Sequence, residues 1–263
     1  MTTITGSTRL FGIIADPISQ VRTPEVLNAY FTAQGIDAVM VPMHVSADGL
    51  PAAMQAFRQM KNLGGIIVTV PHKTEVAALC DVLGPAGRAI GSINTIRRLP
   101  DGRLEGDVFD GAGFVSGLVA QGNDPRGRRV LLLGAGGAAG AIAFALAQGG
   151  VAHLAVANRT ASKAQDVLDR VQPSFPGVDF ALGSADATGY DIIVNATSLG
   201  MKEGDPLPLD ASTLQPGQLV AEIIMKPEMT ALLHTAQSAG CHIHLGKHML
   251  DEQVRQMVSY FGY

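Results

Sequence analysis

The segment from Val130 to Gly140, VLLLGAGGAAG, limits the possible folds of this chain more than any other, because it joins an apolar run to closely spaced glycines. An apolar run that ends at glycine and continues as an apolar helix is typical of a buried parallel strand turning into a helix. Gly134, Gly136 and Ala139 fit the spacing G-x-G-x-x-A. In that pattern the first glycine allows a tight turn, the second lets the backbone approach a pyrophosphate, and the third small residue lets helix and strand pack closely. The segment therefore predicts a dinucleotide site at a helix N-terminus.

A membrane span is the main alternative for this stretch, since Val130–Ala147 carries no charge and a run of that length approaches the minimum for a span. Four glycines between residues 134 and 140 and a polar Asn-Arg-Thr segment shortly after the run favour a buried strand and helix instead. The N-terminal segment lacks the basic region and long apolar core of a signal peptide. We therefore expect a cytoplasmic protein.

Composition indicates a globular protein that acts on a small molecule. The chain has 263 residues, 47% of them hydrophobic, and 31 glycines, which is enough to bury a large core and favours two domains. A net charge of −4 without tryptophan offers no basic surface for nucleic acid, so we expect a small-molecule substrate, no nucleic acid and no membrane. Cys80 and Cys241 are the only cysteines, which argues against a disulfide framework or a cysteine zinc site.

Apolar strands alternate with amphipathic helices along the chain, which predicts an α/β fold with parallel strands. The predicted strands are Leu10–Ala15, Ala38–Val45, Gly64–Val70, Val130–Leu133, Leu154–Asn158, Asp191–Thr197 and Leu219–Ile224, with a hairpin around Pro100–Gly102. The predicted helices are Pro24–Gln34, Leu50–Met60 and others that begin at Pro71, Ser162, Glu228 and about Met249. A change of pattern near residues 106–113 predicts a substrate-binding domain of residues 1–107 with 243–263 and a dinucleotide-binding domain of residues 108–242.

The end of the second predicted strand of the dinucleotide domain indicates which dinucleotide binds. An NAD site usually has an acid there to hold the ribose 2′-hydroxyl, whereas this chain has Asn158, Arg159 and Thr160, with Lys163 one helical turn later. Arg159 and Lys163 are suited to a 2′-phosphate, so NADP is favoured and NAD remains possible. Thr160 is a candidate N-cap of the next helix. The alternative is that both cations only decorate a solvated helix start.

Eight segments, in order, resemble the shikimate dehydrogenase family over almost the whole chain. They are PISQVRTPEVLNAYF, GIIVTVPHK, GSINTIRR, GDVFDGAGF, VLLLGAGGAAGAIAFAL, ANRTASKA, NATSLGM and GKHMLDEQ. The resemblance implies an N-terminal α/β substrate domain plus a Rossmann-type dinucleotide-binding domain, with the active site in the cleft between them. It also implies an oxidoreductase of aromatic amino acid biosynthesis that transfers a hydride between a nicotinamide cofactor and a shikimate-like cyclic hydroxy acid or polyol.

The same resemblance implies a catalytic pair, Lys73 in V-T-V-P-H-K and Asp110 in F-D-G. Adding a hydride to a ketone builds negative charge on oxygen, which an ammonium group stabilises and protonates, while a carboxylate orients it and exchanges protons. The substrate hydroxyls would be held by Thr69, Asn94 and Gln253. The alternatives are a surface lysine, a helix N-cap at Asp110, an Asn94 that satisfies local backbone and an exposed Gln253.

The resemblance also assigns the cofactor contacts. They are Gly134, Gly136, Gly137, Ala138, Asn158, Arg159, Thr160, Lys163, Thr197 and Gly246. Asn195–Ser198 lie where the nicotinamide half would pass, with Gly200 and Met201 in reach, although an ordinary strand-to-loop turn is the alternative.

The chain departs from the family where the substrate carboxylate is usually gripped. It has Val21-Arg22-Thr23 in place of S-x-S, so that one hydroxyl is lost and Thr23 alone retains its own. Val108-Phe109 precedes Asp110 in place of N-T, and Met225 stands where tyrosine is usual. We therefore expect poor use of shikimate itself and a more apolar pocket.

A metal site at His242, His244 and His248 is disfavoured, because no carboxylate is evident to support it. We predict no metal. Two other functions remain open: a catalytically weak nucleotide-binding sensor or regulator of the same fold, and a folate-interconverting dehydrogenase, against which the Asn94 and Gln253 motifs speak. We expect a monomer or homodimer.

Overall fold

The computed structural model describes residues 3–263. It divides into two compact units: the described residues up to Phe109 together with Met257–Tyr263, and Asp110–Gln256. The domain limits derived from sequence stay a prediction, but the structure differs from them in the residues after 242. Strand β12 (His242–His244) pairs in parallel with β11 (Leu219–Glu222), and these hydrogen bonds attach it to the sheet of the second unit.

The first unit is built on a six-stranded mixed sheet of order β2-β1-β3-β5-β6-β4. Its strands are β1 (Arg9–Ala15), β2 (Ala38–His44), β3 (Leu63–Val68), β4 (Val82–Leu83), β5 (Thr95–Arg98) and β6 (Leu104–Asp107). Its helices are α1 (Thr23–Ala33), α2 (Leu50–Gln59), α3 (Glu75–Ala78) and α4 (Pro85–Ile90). β1 pairs in parallel with both β2 and β3, whereas β5 and β6 form the predicted antiparallel hairpin. The carboxyl ends of β1, β2 and β3 therefore lie at one edge of the sheet.

The second unit has a six-stranded parallel sheet of order β9-β8-β7-β10-β11-β12. Its further elements are α5 (Asp110–Ala120), β7 (Arg129–Leu133), α6 (Gly137–Gln148), β8 (His153–Ala157), α7 (Ala161–Val171), β9 (Asp179–Leu182), β10 (Ile192–Asn195), α8 (Ala231–Ser238) and α9 (Lys247–Tyr260), whose last four residues belong to the first unit. The strand order reverses between β7 and β10, where doubly wound sheets bind their ligands. The prediction of a Rossmann-type domain is confirmed.

The apolar runs of the sequence form the core of this second unit. Residues 130–133 of β7 are buried, and so is α6 from Ala139 to Ala147. Gly111 on α5 makes close helix packing possible, because a methyl group there would collide with the carbonyl oxygen of Ala141. Within residues 3–263, no helix is both long enough and apolar enough to cross a membrane.

Several predicted boundaries are wrong for identifiable reasons. The helix expected from Pro71 begins only at Glu75, since the Lys73 carbonyl accepts a hydrogen bond from the distant Ile93 N–H at 2.9 Å. The helix expected from Glu228 begins at Ala231, after an N-cap at Thr230 whose hydroxyl accepts from the Leu233 N–H. Strands β4 and β9 and helix α4 were not predicted. Helix α9 was predicted from about Met249 and begins at Lys247.

Candidate active site

The glycine-rich turn between β7 and α6 has the predicted geometry. Gly134 adopts a φ of 112°, a conformation that favours glycine, and a Cβ there would lie 2.8 Å from the Ala196 carbonyl oxygen. Gly136 occupies the N-cap position of α6 in an extended conformation, and no atom lies within 4 Å of the position of a Cβ. The backbone is therefore open to a ligand where the first helical N–H groups lack partners within the helix.

A cavity of about 560 Å³ opens in front of this turn. The predicted cofactor residues that line it are Gly134, Gly136, Asn158, Arg159, Thr160, Lys163 and Thr197. Gly137 and Ala138 begin α6 and are not part of the lining, and neither is Gly246, where a Cβ would collide with the Ile224 carbonyl oxygen. Ser184, Leu199 and Pro208 also line the cavity but were not predicted from the sequence. Ser184 lies just after β9, so a prediction of that strand would have indicated it.

The far wall of the cavity carries positive charge at the end of β8. Arg159 and Lys163 are exposed, and within residues 3–263 neither forms an ion pair. The Asn158 side-chain amide donates to the Thr160 carbonyl oxygen at 2.9 Å, which shapes this turn. Thr160 occupies the predicted N-cap position of α7, although its side chain makes no capping hydrogen bond.

The Asn195–Ser198 segment is tied down by local hydrogen bonds at the end of β10. The Asn195 side-chain oxygen accepts from both N–H and hydroxyl of Thr197, at 3.0 and 2.7 Å. Its amide donates at 2.9 Å to Glu222, a fully buried carboxylate that Thr230 also contacts at 3.0 Å. Burial raises the pKa of Glu222 above its usual range. The structure therefore shows the strand-to-loop turn, with Thr197 at the cavity wall, and adds a buried acid that the sequence analysis missed.

The predicted substrate residues Thr23, Thr69 and Asn94 belong to the first unit, and so does the predicted catalytic residue Lys73. Thr69 and Lys73 are half-buried and follow β3, where the Thr69 N–H donates to the Ile14 carbonyl oxygen at 3.1 Å. Asn94 is buried, and its side-chain oxygen accepts from the Phe109 N–H at 3.0 Å. The side-chain oxygen of Asn94 therefore satisfies a backbone N–H, which is the alternative role considered for this residue.

The predicted residues Asp110 and Gln253 meet within the second unit. Asp110 is the first residue of α5 and is buried, and the Gln253 amide donates to its carboxylate at 2.5 Å. Gly113 allows this approach, since a Cβ there would lie 2.7 Å from the Gln253 Cβ. Gln253 therefore holds the predicted catalytic acid, a contact that the sequence analysis did not anticipate.

The histidines near the end of the chain have different environments. His242 is exposed, whereas His244 is buried and packs against His248 with ring centroids 5.0 Å apart. Burial, together with the neighbouring His248, lowers the pKa of His244 to about 4. No group of three or more potential metal ligands comes together in the part of the chain that the structure describes.

Comparison with known proteins places this site in a family. Residues 13–96 match the family described as "Shikimate dehydrogenase substrate binding domain", and residues 119–201 match "Shikimate / quinate 5-dehydrogenase". A shikimate dehydrogenase (NADP(+)) of Rubrobacter xylanophilus is 41% identical over 251 residues, which cover 94% of this chain and 88% of the relative. The chain belongs to the shikimate dehydrogenase family.

Two solved structures extend the comparison. The shikimate 5-dehydrogenase of Listeria monocytogenes, solved with shikimate and NAD, has a TM-score of 0.92 at 32% identity, with 99% of this chain and 94% of that chain covered. The 5-ketofructose reductase of a Gluconobacter strain has a TM-score of 0.89 at 31% identity, with coverages of 97% and 93%. Family membership makes the chain an NAD(P)-dependent oxidoreductase, and it supports the dehydrogenase prediction over the sensor and the folate enzyme.

Proposed function

We propose that this protein is an NADP-dependent dehydrogenase that interconverts a secondary alcohol and a ketone on a shikimate-like cyclic hydroxy acid or polyol. The observation that carries the proposal is the cavity of the second unit, in which an open glycine turn faces two cations without ion-pair partners among the described residues. The monomeric or homodimeric state and the cytoplasmic location stay predictions.

The cavity fits the cofactor part by part. At Gly134 and Gly136 no side chain separates the backbone from a bound pyrophosphate. Arg159 offers a planar fork and Lys163 a point charge for a 2′-phosphate, while the end of β8 has no acid that would accept a free ribose 2′-hydroxyl. A bound nicotinamide supplies the hydride that the substrate carbon accepts.

Lys73 and Asp110 are the residues that we assign to the proton. In the reductive direction the Lys73 ammonium group stabilises the negative charge that develops on the carbonyl oxygen and protonates it. Asp110 returns a proton to the lysine, and Gln253 holds the carboxylate in a fixed orientation through the 2.5 Å hydrogen bond. Thr69 and the amide group of Asn94 are assigned to substrate hydroxyls, because neutral donors and acceptors suit a polyhydroxylated ring.

Cofactor preference tests the cavity directly. We expect NADP to bind more tightly than NAD, and Arg159→Ala to weaken NADP by about tenfold to a hundredfold, since a hydrogen bond to a charged group is worth about 1.5–3 kcal/mol. NAD affinity should change less than about twofold. Arg170→Ala, at the other end of the same helix, is the matched control and should leave both affinities unchanged. Tighter binding of NAD than NADP by the wild type would refute the cofactor assignment.

The reaction itself is tested by absorbance at 340 nm. NADP reduction should be observed with at least one member of a panel of shikimate, quinate and neutral cyclic polyols, and the same compound should be inert with the Lys73→Ala variant. Absence of turnover with every member, in both directions, while NADP still binds would contradict the dehydrogenase proposal.

A further inference from the structure

The carboxyl edge of the first sheet is where the proposed substrate residues of this unit gather. The Asp16 N–H donates to the Val70 carbonyl oxygen at 3.2 Å, immediately beside Thr69. His44 ends β2 opposite Ala15 of β1. The loop after β1 leads from Asp16 into the N-terminus of α1 at Thr23. The charge and hydrogen-bonding capacity of this edge therefore determine which substrate group it accepts.

The N-terminus of α1 is poorly suited to a carboxylate. Helix N-termini usually bind anions through free N–H groups, but Pro24 has no N–H. The N–H groups of Glu25 and Val26 already donate to the Arg22 carbonyl oxygen, at 3.1 and 3.3 Å. In addition, the carboxylate of Glu25 already lies in the first turn, where an acidic side chain interacts favourably with the helix N-terminus.

The basic side chains of this edge already have partners. Arg22 forms an ion pair with Glu25 at 2.9 Å, and the His44 ring contacts the Asp16 carboxylate at 2.7 Å. Val21 has no polar side-chain atom to offer. Lys73 is assigned by the proposed chemistry to the reacting oxygen, so that it does not bind a substrate carboxylate.

We infer that the substrate is an uncharged polyhydroxy ketone, or the alcohol formed from it, and not a carboxylate. The inference rests on the proposed function and specifies its substrate class. In the reductive direction the carbonyl carbon gains a hydride from NADPH and the carbonyl oxygen gains a proton, which yields a secondary alcohol and NADP⁺. The groups at this edge are hydroxyl partners: Thr23, Thr69 and the hydrogen-bonded pair of His44 and Asp16. A relative of very similar fold, the Gluconobacter protein, is named as a reductase of 5-ketofructose.

The decisive experiment compares two ketones that differ only at the carboxyl group, the anionic 3-dehydroshikimate and its uncharged methyl ester, with 5-ketofructose as a third compound. NADPH consumption should give a kcat/KM for the ester at least about tenfold above that for the carboxylate, because the carboxylate loses its solvation without gaining a charged partner. 5-Ketofructose should also be reduced. If the carboxylate is reduced as well as the ester, or better, the inference is wrong while the proposed function stands. If NADPH binds but none of the three is reduced, the proposed function fails and the inference with it.

A double variant tests the cause. Val21→Ser with Glu25→Gln adds a hydroxyl donor and releases Arg22, so the ratio of kcat/KM for the carboxylate to kcat/KM for the ester should rise by about tenfold or more. Activity on the ester shows that the variant is folded. The matched control, Val26→Ser with Asp101→Asn, alters an exposed valine of α1 and an exposed ion pair with Arg103, and it should change neither value. Unchanged use of the carboxylate by a double variant that still reduces the ester would overturn the inference.

Discussion

The buried imidazole of His244 should make the stability of the second unit depend on pH. The side chain is 2% exposed, its Nε2 has no hydrogen-bond partner among the described residues, and its neighbours include the Phe114 and His248 rings at 6.0 and 5.0 Å. Protonation would place a charge in this apolar site next to another histidine. The folded state therefore binds the proton less readily than the unfolded chain does.

The sign and size follow from the lowered pKa. A histidine with a lower pKa in the folded state contributes stability that is present above the unfolded value and is lost as the pH falls towards the folded value. The difference between 6.5 and about 4 corresponds to at most about 3 kcal/mol. Integration over the titration gives a loss of about 2 kcal/mol between pH 7 and pH 5.

Replacement by a ring that does not titrate isolates this contribution. The free energy of unfolding in urea should fall by about 2 kcal/mol more between pH 7 and pH 5 for the wild type than for His244→Phe. Glu222, whose pKa is raised by burial, has the opposite dependence, since its contribution is lost as the pH rises through the folded value; it is common to both proteins and cancels in the comparison.

The control is His242→Asn, which removes the exposed histidine of the same strand and should retain the pH dependence of the wild type. Equal losses of free energy in the wild type and His244→Phe would refute the reasoning. So would a nuclear magnetic resonance titration in which the His244 ring protonates near pH 6.5.

Two further predictions concern catalysis and packing. Lys73→Ala and Asp110→Asn should each lower kcat by about 10²–10⁴-fold with NADP affinity unchanged. The double variant should be little slower than either single variant, because the effects of substitutions within one catalytic unit do not add. Near-normal turnover by Lys73→Ala would contradict the assignment. Gly111→Ala should lower the free energy of unfolding by about 1–3 kcal/mol, because the added methyl group collides with the Ala141 carbonyl oxygen. The control Gly177→Ala should not lower it, because a methyl group there contacts nothing within 4 Å. Equal urea midpoints for the two variants would contradict the packing argument.

Local signals of the sequence were sufficient for the nucleotide-binding part of the fold. The strand, turn and helix around Gly134 could be predicted because each step depends on residues close in the chain: a continuous apolar run, a glycine where φ is positive, and small residues where helix and strand approach. The hairpin around Pro100–Gly102 was predictable for the same reason. Strands β4 and β9 were not predictable, because β4 has two residues and β9 is a partly exposed edge strand, so that neither shows a repeated alternation of buried and exposed side chains.

The sequence by itself therefore determined the family, the dinucleotide fold and the identity of the candidate residues, since all of these lie in short contiguous motifs. The tertiary structure alone decided how those residues are partnered. It joined Gln253 to Asp110, buried Glu222 under Asn195 and paired His44 with Asp16. The physical reason is that such contacts join residues far apart in the chain, and strand order and helix packing bring them together without leaving a periodic signal in the sequence.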